Sequence, residues 1–287
     1  MIYTLTMNPS LDYYMWVDEL QIGKTNRSDK ESILLGGKGL NVSKTLYELG
    51  VDSTAICVVA GFVGDEIEKR LKNEGYLSYI IKVQGDSRIN VKLKSDVESE
   101  INASGPLLNE DNLNDILKIF WNLNKDDIVV LSGSLLKNVP VDFYKKIVDI
   151  ARKKGAKAVI DTSGAPLKEA IGAGVFLVKP NLLELSQIFK VDIKGLSEVK
   201  EYARKLLSMG AENVLVSMGD KGSIFVNENM SIYKEAIKCK PNNTVGAGDA
   251  MVAGFIKGYI EREDFEYAME VATECANKVV KEIWIKD

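Results

Sequence analysis

Three features of this 287-residue chain predict a three-layer α/β/α fold with a mainly parallel central sheet and a small projecting β-sheet lid. Short apolar runs alternate with amphipathic helical patterns from end to end. The runs are mostly unbroken, as suits interior strands covered on both faces, and repeated βα units stack helices on either side of one sheet. Two stretches, about 12–35 and 88–103, break the rhythm and supply the lid. The whole of 1–287 is read as one domain.

The elements follow in order. Ile2–Thr6 is the first apolar run. In 12–35, Tyr13–Val17 and Ser32–Leu35 are strand-like, with no helix between them. A helix near 40–49 leads to the run Thr54–Ala60 and a second helix near 65–74. Residues 88–103 alternate strictly: Arg88, Asn90, Lys92 and Lys94 face one way, and Ile89, Val91 and Leu93 the other. After a polar bend at Asp96–Ser99 the alternation continues through Glu100–Ala103. Such patterns mark antiparallel strand pairs, as a projecting sheet or as an edge hairpin half in water. Helices near 109–123, 142–154, 181–189 and 197–209 then alternate with the runs Ile128–Leu131, Ala158–Asp161, Phe176–Val178 and Val214–Ser217. In 264–284, Phe265, Ala268, Met269, Ala272, Cys275, Ala276, Val279 and Ile283 recur every three or four residues, an amphipathic helix.

Composition narrows the function. The chain is 46% hydrophobic and 27% charged, with a net charge of −4, which argues against a general nucleic-acid or membrane-surface binder. No apolar run reaches the ~18–20 residues of a membrane span. The opening Met1–Thr6 lacks the pattern of a signal peptide, so a cytoplasmic location is expected. Cys57, Cys239 and Cys275 are far apart and read as reduced thiols. There is no histidine, which removes Ser-His-Asp triads, HExxH zinc sites and histidine bases. Acid–base work therefore falls to a carboxylate, Lys, Tyr or Cys.

The sharpest local feature is Thr244-Val245-Gly246-Ala247-Gly248-Asp249, which runs into a helix apolar nearly all round. Small residues let phosphate oxygens approach the backbone, and a helix N-terminus offers unpaired N–H groups and partial positive charge. Gly246, Ala247 and Gly248 thus suit an anion hole for a phosphoryl group in transfer. Asp249 stands beside it, placed to take a proton from an attacking hydroxyl; it could equally cap a buried helix. A second cluster, Gly36-Gly37-Lys38-Gly39, precedes a helix and offers Lys38 and Asn41 as polar contacts, or is an ordinary strand-to-helix turn. The P-loop and dinucleotide-binding glycine patterns are both absent.

Together, Gly36–Asn41 and Thr244–Asp249 resemble the two signatures of the PfkB/ribokinase family of carbohydrate kinases. Between and before them, Asn8–Asp12, Arg88–Lys92, Glu100–Asn102, Leu131–Ser134, Lys179–Glu184 and Val216–Gly222 fall in the family's order over essentially the whole chain. The resemblance implies a ribokinase-like fold and an ATP- and Mg2+-dependent kinase. It implies that Asp12, Gly37, Lys38 and Asn41 bind sugar hydroxyls, with Asp249 as base. Lys179, Ser217, Gly219, Gly222 and Thr244 would contact the nucleotide, and Asn277 would flank the adenine. Asn181 and Glu184 match an Asn-x-x-Glu motif that organises water around Mg2+, so Glu184 would act on the metal through water. Asn243 and Ala250 depart from the usual residues flanking the second signature.

Within the family, the branch of 1-phosphofructokinase and tagatose-6-phosphate kinase looks closest. Arg27, Arg88 and Lys38 are expected to converge on a substrate phosphate, because guanidinium forks pair well with phosphate oxygens. Asn90, Ser132 and Ser134 would add neutral hydrogen bonds. The expected substrate is fructose 1-phosphate, with tagatose 6-phosphate the alternative and a catalytically idle sugar-phosphate sensor the remote one. The apolar lid face of Ile89, Val91, Leu93 and Ile101 predicts a homodimer through the lid.

Overall fold

The computed structural model describes residues 1–237 and 244–281. The chain runs β1 (Ile2–Thr6), β2 (Ser10–Trp16), β3 (Lys30–Gly36), α1 (Lys38–Glu48), β4 (Ser53–Ala60), α2 (Gly61–Asn73), β5 (Leu77–Val83), β6 (Arg88–Lys94) and β7 (Ser99–Ile101). It continues through α3 (Glu110–Ile119), β8 (Ile128–Ser132), α4 (Phe143–Lys153), β9 (Lys157–Asp161), α5 (Gly164–Ile171), β10 (Val175–Val178), α6 (Leu182–Phe189) and α7 (Leu196–Ser208). β11 (Ala211–Ser217), β12 (Ser223–Asn227), β13 (Ser231–Lys234), α8 (Ala247–Arg262) and α9 (Phe265–Lys281) complete it.

One nine-stranded sheet has the order β13-β12-β11-β10-β9-β8-β1-β4-β5. Every pair from β11 to β5 is parallel, and β12 and β13 add antiparallel strands at one edge. Its two faces are separately covered. Ile116, Phe143, Leu167, Leu185 and Val199 of α3 to α7 pack on one side. Val42, Leu46, Val252, Phe255, Ala268 and Ala272 of α1, α8 and α9 pack on the other. The three layers are therefore present. The helix after the Gly246–Gly248 turn is buried, as its all-round apolarity predicts. Gly258 permits this, since a Cβ there would meet the Ala268 Cα at 2.6 Å, so α9 could not lie so close against a larger residue.

The lid is a separate four-stranded sheet ordered β3-β2-β6-β7, so 88–103 is not an edge hairpin of the main sheet. β2–β3 and β6–β7 are antiparallel, as the alternation predicts, but a parallel β2–β6 pair joins them. That pair unites segments far apart in sequence, which no local pattern reports. Four elements escape the sequence pattern: β5, α5, β12 and β13. Eight-residue α5 carries Gly164 and Pro166, which read locally as loop. Among the described residues no helix is long and apolar enough to cross a membrane. Cys239, Asn243 and Ile283 lie outside the described residues.

Candidate active site

The carboxyl ends of the parallel strands and the polar face of the lid line a cavity of about 910 Å3. Such strand ends are where open α/β sheets bind ligands. Every site residue expected from the sequence lines it, with one exception.

The exception is Arg27. It sits exposed in the connection between β2 and β3, outside the cavity lining. β2 lines the cavity as far as Tyr14 and runs on to Trp16, and Arg27 lies beyond that end in the connection to β3. The local spacing Asn26-Arg27 could not report that displacement.

Lys38 and Arg88, expected to converge on a phosphate, line the same cavity but are held by different partners. Lys38 opens α1, and its Nζ lies 3.0 Å from Asp161 Oδ1 and 3.9 Å from Glu184 Oε1. Burial opposes its charge, but Asp161, Asp249 and Glu184 hold its pKa above the ordinary value. Arg88 instead donates Nε–H and NH2 to the carbonyl of Asn8, at 3.1 and 2.9 Å. Burial lowers its pKa, with Asp12 opposing the shift. A guanidinium has five N–H donors, so three remain for a ligand. Lys92, also on the lining, is paired to Glu100 at 2.6 Å.

The polar floor of the lid is tightly held. Asp12 Oδ1 accepts from Ser10 Oγ at 2.7 Å and from Asn90 Nδ2 at 2.8 Å. These residues share one face because Asp12 and Asn90 are register partners in the β2–β6 pair. Gly37, at φ 142°, lets the chain leave β3 and enter α1; a Cβ on it would meet Thr6 Cγ2 at 2.8 Å. Ser132 and Ser134 line the same cavity, and the buried Ser132 Oγ has no hydrogen-bond partner.

On the body side, Gly246 adopts φ 83° and α8 begins at Ala247. Asp249 in its first turn is 5% exposed. Asn41 Nδ2 donates to Asp249 Oδ2 at 2.7 Å, reaching across from α1. Burial, then the charge of Asp161, push the Asp249 carboxyl up to about 7, against the pull of Lys38, Asn41 and Lys179. A carboxyl with that pKa is suited to accept a proton near neutrality. Gly248 faces Lys179, and a Cβ on it would stand 3.1 Å from Lys179 Nζ. Thr244, Ser217, Gly219, Gly222 and Asn277 line the remaining end. Asn181 and Glu184 form a reciprocal capping box on α6: Asn181 N–H donates to Glu184 Oε2, and Glu184 N–H to Asn181 Oδ1.

The residue that sequence reading missed is Asp161. It ends β9 wholly buried, with Oδ1 3.0 Å from Lys38 and 3.4 Å from Lys179. Burial alone would raise its pKa; the Lys179 and Lys38 ammoniums hold it below the ordinary carboxylate value. Its Oδ2 is buried without a partner. The signal was available: a carboxylate ending a buried parallel strand points into the ligand crevice.

Comparison with known proteins places the chain in a family. The family model described as pfkB family carbohydrate kinase matches residues 5–283. The chain is 40% identical over 271 residues to 1-phosphofructokinase of Bacillus subtilis, covering 94% of this chain and 89% of that protein. It is 36% identical to D-tagatose-1-phosphate kinase of Bacillus licheniformis, covering 89% of this chain and 84% of that one. Solved structures of Escherichia coli phosphofructokinase-2, one with fructose 6-phosphate and one of a tetrameric inhibited form, superpose with TM-scores of 0.90 and 0.91. Their identities are 26% and 27%, and each comparison covers 97% of this chain and 93% of the other. The chain belongs to the pfkB family of carbohydrate kinases.

Proposed function

We propose that this protein transfers the γ-phosphoryl group of ATP to a ketohexose monophosphate, with fructose 1-phosphate giving fructose 1,6-bisphosphate. The observation that carries the reading is Asp249: a buried carboxyl, held by Asn41, beside an N-terminal helix turn built from Gly246, Ala247 and Gly248. In this reading Asp249 takes the proton of the attacking hydroxyl while the backbone N–H groups stabilise charge on the transferred phosphoryl. Lys179, beside Gly248, adds positive charge there. Asp12, Asn41, Asn90, Ser132 and Ser134 orient the sugar, and Arg88 receives its phosphate with the donors that Asn8 leaves over. Ser217, Gly219, Gly222, Thr244 and Asn277 line the nucleotide end.

Mg2+ fits the donor set. It is usually held by one or two carboxylates together with substrate phosphates rather than by an all-protein cage. The unpartnered Asp161 Oδ2 and the nearby Glu184 offer that environment, and the described residues contain no cluster of three or more acidic, His or Cys ligands. When bound, the metal would neutralise charge on the nucleotide phosphates. The relatives named for fructose and tagatose phosphates favour a sugar phosphate over a free sugar. Tagatose 6-phosphate is the alternative substrate. ADP release measured across fructose 1-phosphate, fructose 6-phosphate, tagatose 6-phosphate and free fructose tests the proposal. Equal use of free fructose would overturn the substrate assignment, and binding without ADP release would identify a sensor.

The lid leaves Ile33, Ile89 and Ile101 exposed on the face away from the cavity, Ile101 at 71%. A second copy covering that face is proposed as the assembly.

A further inference from the structure

We infer that the Lys38 ammonium is a resident counter-ion at the metal position, displaced from Asp161 and Glu184 when a divalent cation binds. This rests on the kinase reading above and adds an exchange that orders the site.

Lys38 spans two carboxylates that reach the cleft from different elements, Asp161 at the end of β9 and Glu184 in the first turn of α6. Asp161 Oδ2 is buried and unpaired. Buried carboxylate oxygens rarely stay unpartnered, so this one marks a position that a ligand completes. An ammonium contributes one charge and no coordination, whereas a divalent cation contributes two charges and binds oxygen directly.

The two lysines on Asp161 differ in their freedom to leave. Lys179 is 4% exposed along its side chain and stands against Gly248. Lys38 is 38% exposed, on a flexible four-carbon stem at the start of a helix. A divalent cation at Asp161 Oδ2 and Glu184 would repel an ammonium still bound at Asp161 Oδ1, and Lys38 is the one able to move. Its release delivers a free cation into the cleft near Asp249, where charge accumulates on the phosphoryl group in flight.

The experiment titrates Mn2+ into the full-length protein without nucleotide and follows free Mn2+ by electron paramagnetic resonance. Lys38→Met keeps the stem and removes the charge, and should bind Mn2+ about tenfold or more tightly than wild type, the scale of one like charge at close range. Adding Asp161→Asn should abolish that gain. Unchanged or weaker binding by a Lys38→Met protein with a native circular dichroism spectrum overturns the exchange. If Lys38→Met does not fold, the wild type decides alone. An amine released from two carboxylates is more available to acylation, so acetylation of Lys38 mapped by mass spectrometry should rise several-fold in saturating Mn2+, and a flat response overturns the idea. Wild-type turnover alongside a negative result removes only the exchange; absence of turnover on every sugar phosphate removes the kinase reading itself.

Discussion

The two walls of the cleft handle charge in opposite ways. On the body wall, Asp161, Asp249, Glu184, Lys38 and Lys179 lie within one network at the ends of buried strands and helices. Charges are held there in low dielectric, where each shifts its neighbours and reorganisation is small. On the lid wall, charges are cancelled or committed locally: Lys92 by Glu100, Arg88 in part by the Asn8 carbonyl, Asp12 by Ser10 and Asn90. The lid is also thin, with one apolar face in water. The difference separates the tasks. In the proposed reaction, the body would meet charge that develops during transfer, and the lid would recognise a substrate that already carries its charge.

The sharpest way to break this contrast is Asp249→Asn. The amide preserves size but takes no proton, and loss of a general base typically costs ~10²–10⁴-fold, so kcat should fall by that much. A variant keeping more than about a tenth of wild-type kcat, with chemistry rate-limiting, would exclude Asp249 as base. Stability should move the other way. The folded pKa is raised from 3.8 to about 7, so the carboxyl favours the fold while protonated, and that contribution is lost as pH rises through about 7. The melting temperature of Asp249→Asn relative to wild type should therefore climb across that window.

Arg88→Ala probes the lid wall and should cost less. A charge-assisted hydrogen bond contributes roughly 1.5–3 kcal/mol, or about tenfold to a hundredfold in kcat/KM for fructose 1-phosphate, at ~1.4 kcal/mol per tenfold. Free fructose should be turned over nearly as before. Equal losses on both sugars would make Arg88 a strut for the Asn8 carbonyl rather than a phosphate contact.

The pH profile sharpens the body wall. If Asp249 is the base it must be ionised to act, so log kcat/KM should rise with unit slope up to about pH 7 and then level. A phosphate monoester titrates near ~6 itself, so the profile is repeated with free fructose, which carries no phosphate. A break near the ordinary carboxylate range on both sugars would mean that burial does not set the proton affinity.

The smallest effect on chemistry is expected from Val91→Glu on the outer lid face. It should lower self-association in sedimentation at micromolar concentration with little loss of secondary structure. A wild type that sediments only as monomer would rule out the lid-to-lid assembly.

Much of this molecule was legible without coordinates because its strongest signals are local. Buried parallel strands require continuous apolar runs, so β1, β4 and β8–β11 declare themselves within a residue or two, except that β11 begins three residues earlier than its apolar run. A turn that admits a phosphate requires small residues before a helix, so Gly246–Asp249 is visible at once. Only tertiary structure decided which charges meet. Lys38 and Asp161 are 123 residues apart, and Asn41 and Asp249 are 208 apart; no periodicity connects them. The same holds for Arg27, whose type suits a phosphate but whose hairpin carries it away from the cavity. Residue type and spacing establish what chemistry a segment can do. Which partner neutralises a charge depends on Coulomb terms that change within a few ångströms, and those distances exist only after the chain has folded.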